Sequence, residues 1–120
     1  MEITKLNETS VIAVLPKRLD GITSPEIESK IIEQLNSGVK KIAFDFSNTA
    51  YMASSGVRVI LSTYKKLKNL SGELFLAGLS PEVKNVFDMT CFSFMDQSLK
   101  VYPNIKSIPG FTLNMGSQAN

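Results

Sequence analysis

Apolar residues fall into short runs along the chain, and these runs predict the strands. Residues 11–15 and 74–77 are continuous apolar runs, and in residues 41–46 the apolar Ile42, Phe44 and Phe46 alternate with other residues. A continuous apolar run of this length is typical of a strand that is buried on both faces of a sheet. Weaker patterns at residues 2–7 and 99–102 predict a short edge strand near the start and another short strand late in the chain. The sequence therefore predicts a sheet of 4–5 strands.

The segments between the predicted strands carry apolar residues at helical spacing. These residues recur three or four positions apart, which places them on one face of a helix. The pattern predicts three helices, each with one apolar face to pack on the sheet. The apolar positions are Ile27, Ile31 and Leu35 in the first helix, Val57, Ile60, Leu61, Tyr64 and Leu67 in the second, and Val83, Val86 and Phe87, with Thr90 in register, in the third.

Serine, proline and glutamate mark the starts of the first and third helices. Ser24 can cap the first helix with Pro25 at the first helical position, or Thr23 can form a capping box with Glu26. Ser80 precedes the third helix in the same arrangement. Both helices are thus expected to begin at a side-chain cap.

The second helix has its own start and stop signals. Ser54 or Ser55 is the predicted N-cap, and Tyr51 and Met52 can form a staple onto the first apolar residues of the helix. Gly72 suits the first position after the helix, where a left-handed residue often ends it.

Alternation of strands and helices over short loops gives the fold class. It predicts an α/β domain with a mixed, mostly parallel sheet and helices packed on it. Residues 1–110 form this single domain, and residues 111–120 are expected to be a polar C-terminal tail. Within the domain, Asn104 can cap a brief turn that follows the last strand.

Composition narrows the classes of function. The chain has 120 residues, a net charge of +2, one cysteine and no histidine. The small charge argues against nucleic acid as the main partner, and the missing histidine excludes the Ser-His-Asp triad and most zinc sites. No apolar run is long enough for a membrane span, and no signal peptide is present, so we expect a cytoplasmic protein. Cys91 is expected to be a buried structural thiol.

Two adjacent hydroxyls, Ser54 and Ser55, are the candidate functional residues. As a plain N-cap either serine stabilises the helix by about 1 kcal/mol and needs no other role. A serine there would also lie at the carboxyl edge of the sheet, and a phosphate on it would face the positive end of the helix dipole. Nucleophilic catalysis would need a base that no sequence pattern supplies.

The strand-to-helix junction carries a recognisable motif. Residues 45–47 read Asp-Phe-Ser, and residues 51–56 read Tyr-Met-Ala-Ser-Ser-Gly immediately before the helix. This pattern closely resembles the STAS domain family, particularly the bacterial anti-sigma factor antagonists. Supporting similarity lies at residues 18–20, 71–72, 79–83 and 87–90.

The resemblance implies a function by regulated binding and not by catalysis. In such antagonists the first serine of the motif is phosphorylated by an anti-sigma factor that is itself a serine kinase. The unphosphorylated form binds this kinase and frees the sigma factor, and a PP2C-type phosphatase resets the switch. By position the phosphoacceptor is Ser54, and the chain needs no cofactor or metal of its own. The implied docking face comprises Asp20, Met52, Ala53, Ser54, Ser55, Gly56 and Val57.

Ala53 is a departure from the family pattern, which usually has aspartate at this position. Because alanine can neither orient the serine nor contact a basic group on the partner, a STAS scaffold or adaptor that does not switch stays open, including a subunit of a transport complex. A STAS module that senses a small molecule or nucleotide is a third alternative. Val59 is expected to be exposed beside the docking loop, where it can contact the partner.

Overall fold

Strands and helices alternate along the chain, as the apolar pattern predicts. The computed structural model describes residues 1–91 and 100–111. The expected burial of the Cys91 side chain, residue Leu99 of the last predicted strand and tail residues 112–120 lie outside the described part. The strands are β1 (Glu2–Lys5), β2 (Ser10–Val14), β3 (Arg18–Leu19), β4 (Lys41–Asp45), β5 (Tyr51–Met52), β6 (Glu73–Ala77) and β7 (Lys100–Tyr102). The helices are α1 (Ser24–Asn36), α2 (Ser54–Asn69) and α3 (Pro81–Cys91), and a 3-10 turn covers Ile105–Ser107.

Five of the strands form the main sheet, in the order β1-β2-β4-β6-β7. Strand β1 runs antiparallel to β2, and the other neighbours pair in parallel. The predicted mixed and mostly parallel α/β sheet is therefore confirmed. Parallel neighbours need a crossover, which α1, α2 and α3 provide. The carboxyl ends of β2, β4 and β6 consequently lie at one edge of the sheet, and the loops that lead into the three helices start there.

Both faces of the sheet are buried, which explains the continuous apolar runs at residues 11–15 and 74–77 and the apolar Ala43 between Ile42 and Phe44 of β4. On one face, Ile42 and Phe44 of β4 share a core cluster with residues of all three helices. On the other face, Ala43 and Phe75 pack with Ile108 and Phe111 from the segment that follows β7. Phe111 belongs to the predicted tail by sequence, yet it is buried, so the packed domain reaches at least this residue.

A small second sheet, formed by β3 and β5, is absent from the sequence prediction. Arg18 and Leu19 pair in parallel with Tyr51 and Met52. Next to this pairing, the buried side-chain hydroxyl of Thr49 donates a 2.9 Å hydrogen bond to the carbonyl of Pro16. Strands of two residues are too short to show a periodic pattern in the sequence. Contacts between distant segments determine where they form.

The predicted serine caps of α1 and α2 are wrong, and the alternative cap of α1, Thr23, has the right position but no cap bond. At α1 the capping position is Thr23, which makes no side-chain cap bond, and Ser24 lies inside the helix. The Oγ of Ser24 is buried without a hydrogen-bond partner among the described residues. At α2 the capping position is Ala53, which has no side-chain acceptor, so neither predicted serine caps the helix.

Other predicted turn residues are confirmed. The Oγ of Ser80 accepts a 3.2 Å hydrogen bond from the N–H of Val83 at the start of α3. The Oδ1 of Asn104 accepts a 3.0 Å bond from the N–H of Ser107 and caps the 3-10 turn.

The end of α2 differs by one position from the prediction. Ser71, and not Gly72, has the left-handed backbone, with φ at 60°. The N–H of Gly72 donates to the carbonyl of Leu67 at 2.7 Å, as in a Schellman motif. Glycine is still required at residue 72, because a β carbon there would collide with the carbonyl oxygen of Lys40.

Candidate functional site

Ser54 is the first residue of α2, and its side chain is exposed to solvent. The residue before it, Ala53, is extended, and its N–H donates a 2.8 Å hydrogen bond to the carbonyl of Leu19 on β3. The carbonyl of Ala53 accepts from the N–H groups of Gly56 and Val57 at 2.9 and 3.3 Å. The backbone on both sides of Ser54 is thus tied down, while its hydroxyl stays accessible.

Gly56 lets the start of α2 approach the small sheet closely. A β carbon at this position would lie 2.8 Å from Cβ of Leu19, 3.1 Å from its carbonyl oxygen and 3.0 Å from Cγ of Met52. Atoms at these distances overlap, so any larger residue would push α2 away from β3 and β5. Glycine in the motif therefore fixes where the helix, and with it Ser54, begins.

Asp20 holds the loop between β3 and α1. Its Oδ1 accepts hydrogen bonds from the N–H groups of Ile22 at 3.0 Å and Thr23 at 3.1 Å, and its Oδ2 accepts from Nε of Arg18 at 3.2 Å. These hydrogen bonds hold the pKa of Asp20 below its ordinary value. The bond from the N–H of Thr23 has the largest effect, followed by the bond from the N–H of Ile22. The predicted docking residue is therefore an anion at neutral pH that is already engaged within its own loop.

Three exposed residues at the same edge are missing from the sequence-based list of site residues. Ile22 is 87% exposed at the tip of the loop that Asp20 holds. The guanidinium of Arg18 lies 4.4 Å from the ring centroid of Tyr51, which is 45% exposed. The pairing of β3 with β5 brings this cation and ring together. An isoleucine directly after Asp-Gly, in an otherwise polar turn, is the one sequence signal that points to this surface.

Val59 is not exposed, contrary to the sequence-based expectation. Its side chain is 6% exposed and belongs to the main core cluster. Helix α2 packs on α1 as well as on the sheet, so it buries a second stripe beside the predicted one. Thr63, one turn later on this stripe, is also buried, and its Oγ1 donates to the carbonyl of Val59 at 2.8 Å. Because Val59 is buried, its side chain is not available for contact with a partner.

The predicted docking residues fall into two groups by burial. Asp20, Ala53, Ser54 and Ser55 reach the surface. Met52, Gly56 and Val57 are buried, so they shape the loop from beneath. The predicted staple partner Met52 lies in the same cluster as the first apolar residues of α2, whereas the other, Tyr51, faces solvent and contacts Arg18.

A shallow groove separates the beginnings of α1 and α2. Its volume is about 300 Å³, and its wall includes Ser24 and Glu28 from α1 and Ser55, Arg58 and Val59 from α2. Residues 1–91 and 100–111 contain no cluster of three or more acidic or cysteine side chains that can hold a metal ion. Within the same ranges, no helix has the length and apolar character needed to cross a bilayer.

Comparisons with known proteins agree with this architecture. The family described as STAS domain matches residues 1–108. BtrV of Bordetella bronchiseptica, whose name gives it as a candidate anti-sigma factor antagonist, is 30% identical over 82 residues, which are 68% of this chain and 71% of BtrV. The anti-sigma-B factor antagonist of Staphylococcus aureus is 31% identical over 72 residues, which are 60% of this chain and 67% of the relative.

A solved structure gives the same result. The anti-sigma factor antagonist SpoIIAA of Bacillus, in its unphosphorylated form, superimposes with a TM-score of 0.72 at 26% identity, over 83% of this chain and 85% of SpoIIAA. Its phosphorylated form gives a TM-score of 0.68 at 25% identity, over 83% of this chain and 88% of that chain. The relatives are regulatory proteins that antagonise anti-sigma factors, and one of them exists in a phosphorylated form.

Proposed function

Because the chain belongs to the STAS domain family, we propose that it is an anti-sigma factor antagonist that is switched by phosphorylation of Ser54. In its unphosphorylated form it binds an anti-sigma factor with serine kinase activity, and the sigma factor is released. The kinase ends its own inhibition by phosphorylating Ser54, and a PP2C-type phosphatase removes the phosphate. These encounters take place in the cytoplasm.

The exposed hydroxyl of Ser54 on a rigid helix start is the observation that carries this proposal. The hydroxyl is not used as a helix cap, since Ala53 occupies the capping position. The hydrogen bond from Ala53 to Leu19 and the close packing of Gly56 fix the backbone around it. A kinase therefore binds the serine in one defined position, and little conformational entropy is lost when the serine is ordered in the complex.

Phosphoryl transfer needs little from this chain beyond that hydroxyl. The Oγ of Ser54 attacks the γ-phosphorus of ATP, the bond from this phosphorus to the bridging oxygen of the β-phosphate breaks, and ADP leaves. The proton of the hydroxyl passes to a base on the kinase, which also supplies the metal-bound ATP. The absence of histidine from this chain is compatible with this division of roles.

The product changes the surface more than it changes the fold. A phosphoserine carries close to two negative charges at neutral pH. At the first residue of α2 these charges face the positive end of the helix dipole, which favours them by about 0.3–1 kcal/mol. A partner surface that is complementary to a neutral hydroxyl would have to desolvate the dianion without compensation, at a cost of several kcal/mol. Phosphorylation thus ends binding without unfolding the protein.

Ala53 supports a second candidate, a STAS adaptor that does not switch. At this position the chain lacks a carboxylate that could contact the partner or orient the serine. An adaptor would use the same surface, but its affinity for the partner would be insensitive to the charge at residue 54.

Binding measurements with charge variants distinguish the two candidates. The partner is an anti-sigma factor kinase from the same genome, and affinity is measured by titration calorimetry. We expect Ser54→Ala to bind within about threefold of wild type and Ser54→Asp to lose at least about a hundredfold, which corresponds to roughly 2.7 kcal/mol. Ser71→Asp is the matched control, since it adds the same charge at the far end of α2, roughly 25 Å away by the helical rise. Equal binding of Ser54→Asp and wild type would support the adaptor and refute the switch.

A further inference from the structure

Arg58 lies one helical turn after Ser54 on α2. It is exposed, and its guanidinium makes no hydrogen bond or ion pair with any residue in 1–91 or 100–111. An arginine with five donors and a permanent charge is a strong ligand for phosphate and carboxylate groups. Its position close to the proposed phosphoacceptor therefore needs an explanation.

Helix geometry places Ser54 within reach of the Arg58 side chain. Residues four apart lie on the same face, separated by roughly 6 Å along the axis. Helical side chains lean towards the N-terminus, so a long side chain covers the turn that precedes it. The order, with the anionic residue on the N-terminal side of the cation, is the more favourable one for such pairs. The guanidinium of Arg58 can thus reach a group attached to Oγ of Ser54.

The charges that surround this turn leave Arg58 available. The first turn of α2 contains no acidic residue. On the loop before α1, Asp20 is engaged by Arg18 and by backbone N–H groups. On α1, Glu28 lines the same groove as Arg58, but its Oε2 accepts a 3.4 Å hydrogen bond from Oγ of Ser62 and makes no ion pair with a residue in the described part of the chain. The neighbouring acids therefore do not neutralise Arg58.

We propose that Arg58 is the intramolecular counter-charge for a phosphoryl group on Ser54. The guanidinium binds two phosphate oxygens, as arginine does in bidentate phosphate contacts, and holds the group against the first turn of α2. The phosphorylated state is then stabilised from within the chain, whereas in the unphosphorylated state Arg58 is free at the docking surface. This inference rests on the proposed function, because it takes Ser54 as the modified residue.

The test uses the whole chain with phosphoserine incorporated at position 54 during translation. The second pKa of the phosphate is measured by phosphorus NMR titration in wild type, Arg58→Gln, Arg58→Lys and Lys65→Gln. Pairing with Arg58 favours the dianion and lowers this pKa from its ordinary value of about 6, so the glutamine variant should raise it by roughly 0.3–0.7 units relative to wild type. Lysine should restore part of the shift. Lys65→Gln removes one charge from the same helix, roughly 16 Å from Ser54, and should change the pKa by less than about 0.1 unit.

Equal titration curves for Arg58→Gln and Lys65→Gln would overturn the inference, because they would show only a general effect of net charge. A higher phosphate pKa in Arg58→Gln, with no change in Lys65→Gln, supports the inference. The phosphate is introduced without a kinase, so this result is independent of whether any kinase modifies Ser54. Failure of a kinase to label the chain would instead count against the proposed function.

Discussion

Replacement of Gly56 by alanine tests whether close packing or helix propensity controls the start of α2. The added β carbon would lie 2.8 Å from Cβ of Leu19 and 3.0 Å from Cγ of Met52, both of which are buried. Overpacking of this kind costs about 1–3 kcal/mol. Alanine in place of glycine within a helix contributes about 0.5–1 kcal/mol in the opposite direction. The steric cost is the larger, so we expect a net loss of about 0.5–2 kcal/mol in the free energy of unfolding.

Urea denaturation of Gly56→Ala and Gly21→Ala measures this effect against a matched control. A β carbon at Gly21 would meet no atom within 4 Å, so this variant should stay within about 0.5 kcal/mol of wild type. The loss in Gly56→Ala should appear as a lower denaturation midpoint with an unchanged slope. An increase in the stability of Gly56→Ala would refute the argument, since helix propensity would then outweigh the contact with β3 and β5.

Three further variants test the residues that build and display the site. Thr49→Val removes the buried hydrogen bond to Pro16 and should lower the free energy of unfolding by about 1–3 kcal/mol in urea; a neutral effect would show that this bond does not hold the two loops together. The pKa of Asp20 is lowered in the fold, so its charge stabilises the protein above the unfolded pKa of about 4, and the advantage is lost as the pH falls. The stability gap between wild type and Asp20→Asn should therefore be constant above about pH 5 and close by about pH 2, and a gap that widens in acid would contradict this. Ile22→Ser should leave the melting temperature unchanged, because Ile22 is exposed, but it should weaken kinase binding about tenfold; unchanged binding would remove Ile22 from the docking surface.

The main sheet and the helices can be predicted from the sequence, because burial requires apolar residues at spacings that are typical of strands and helices. Strands β2, β4 and β6 are covered on both faces; β2 and β6 coincide with continuous apolar runs in the sequence, and β4 shows the alternating apolar residues Ile42 and Phe44. Helix α2 shows its sheet-facing stripe through Val57, Ile60 and Leu67. The motif around Ser54 was also visible, since a hydroxyl pair before a helix and the resemblance to STAS domains point to the same residues.

Features that depend on contact between distant segments were not predictable. The pairing of β3 with β5 joins two-residue strands that have no periodic pattern of their own. The burial of Val59 depends on packing of α1 against α2, and sequence periodicity reveals only one stripe on a helix. Serine is a common capping residue, so the sequence predicts it at the start of α2, but the hydrogen bond from Ala53 to Leu19 starts the helix one residue earlier than propensity indicates.

The central claim is that the charge on Ser54 decides whether the partner binds. The most direct measurement compares the affinity of the purified unphosphorylated chain and its enzymatically phosphorylated form for the same anti-sigma factor kinase, after mass spectrometry has located the phosphate. We expect one phosphoryl group, located on Ser54, and a loss of affinity of at least about a hundredfold. A phosphate on another residue, no phosphate at all, or equal affinity of the two forms would contradict this claim.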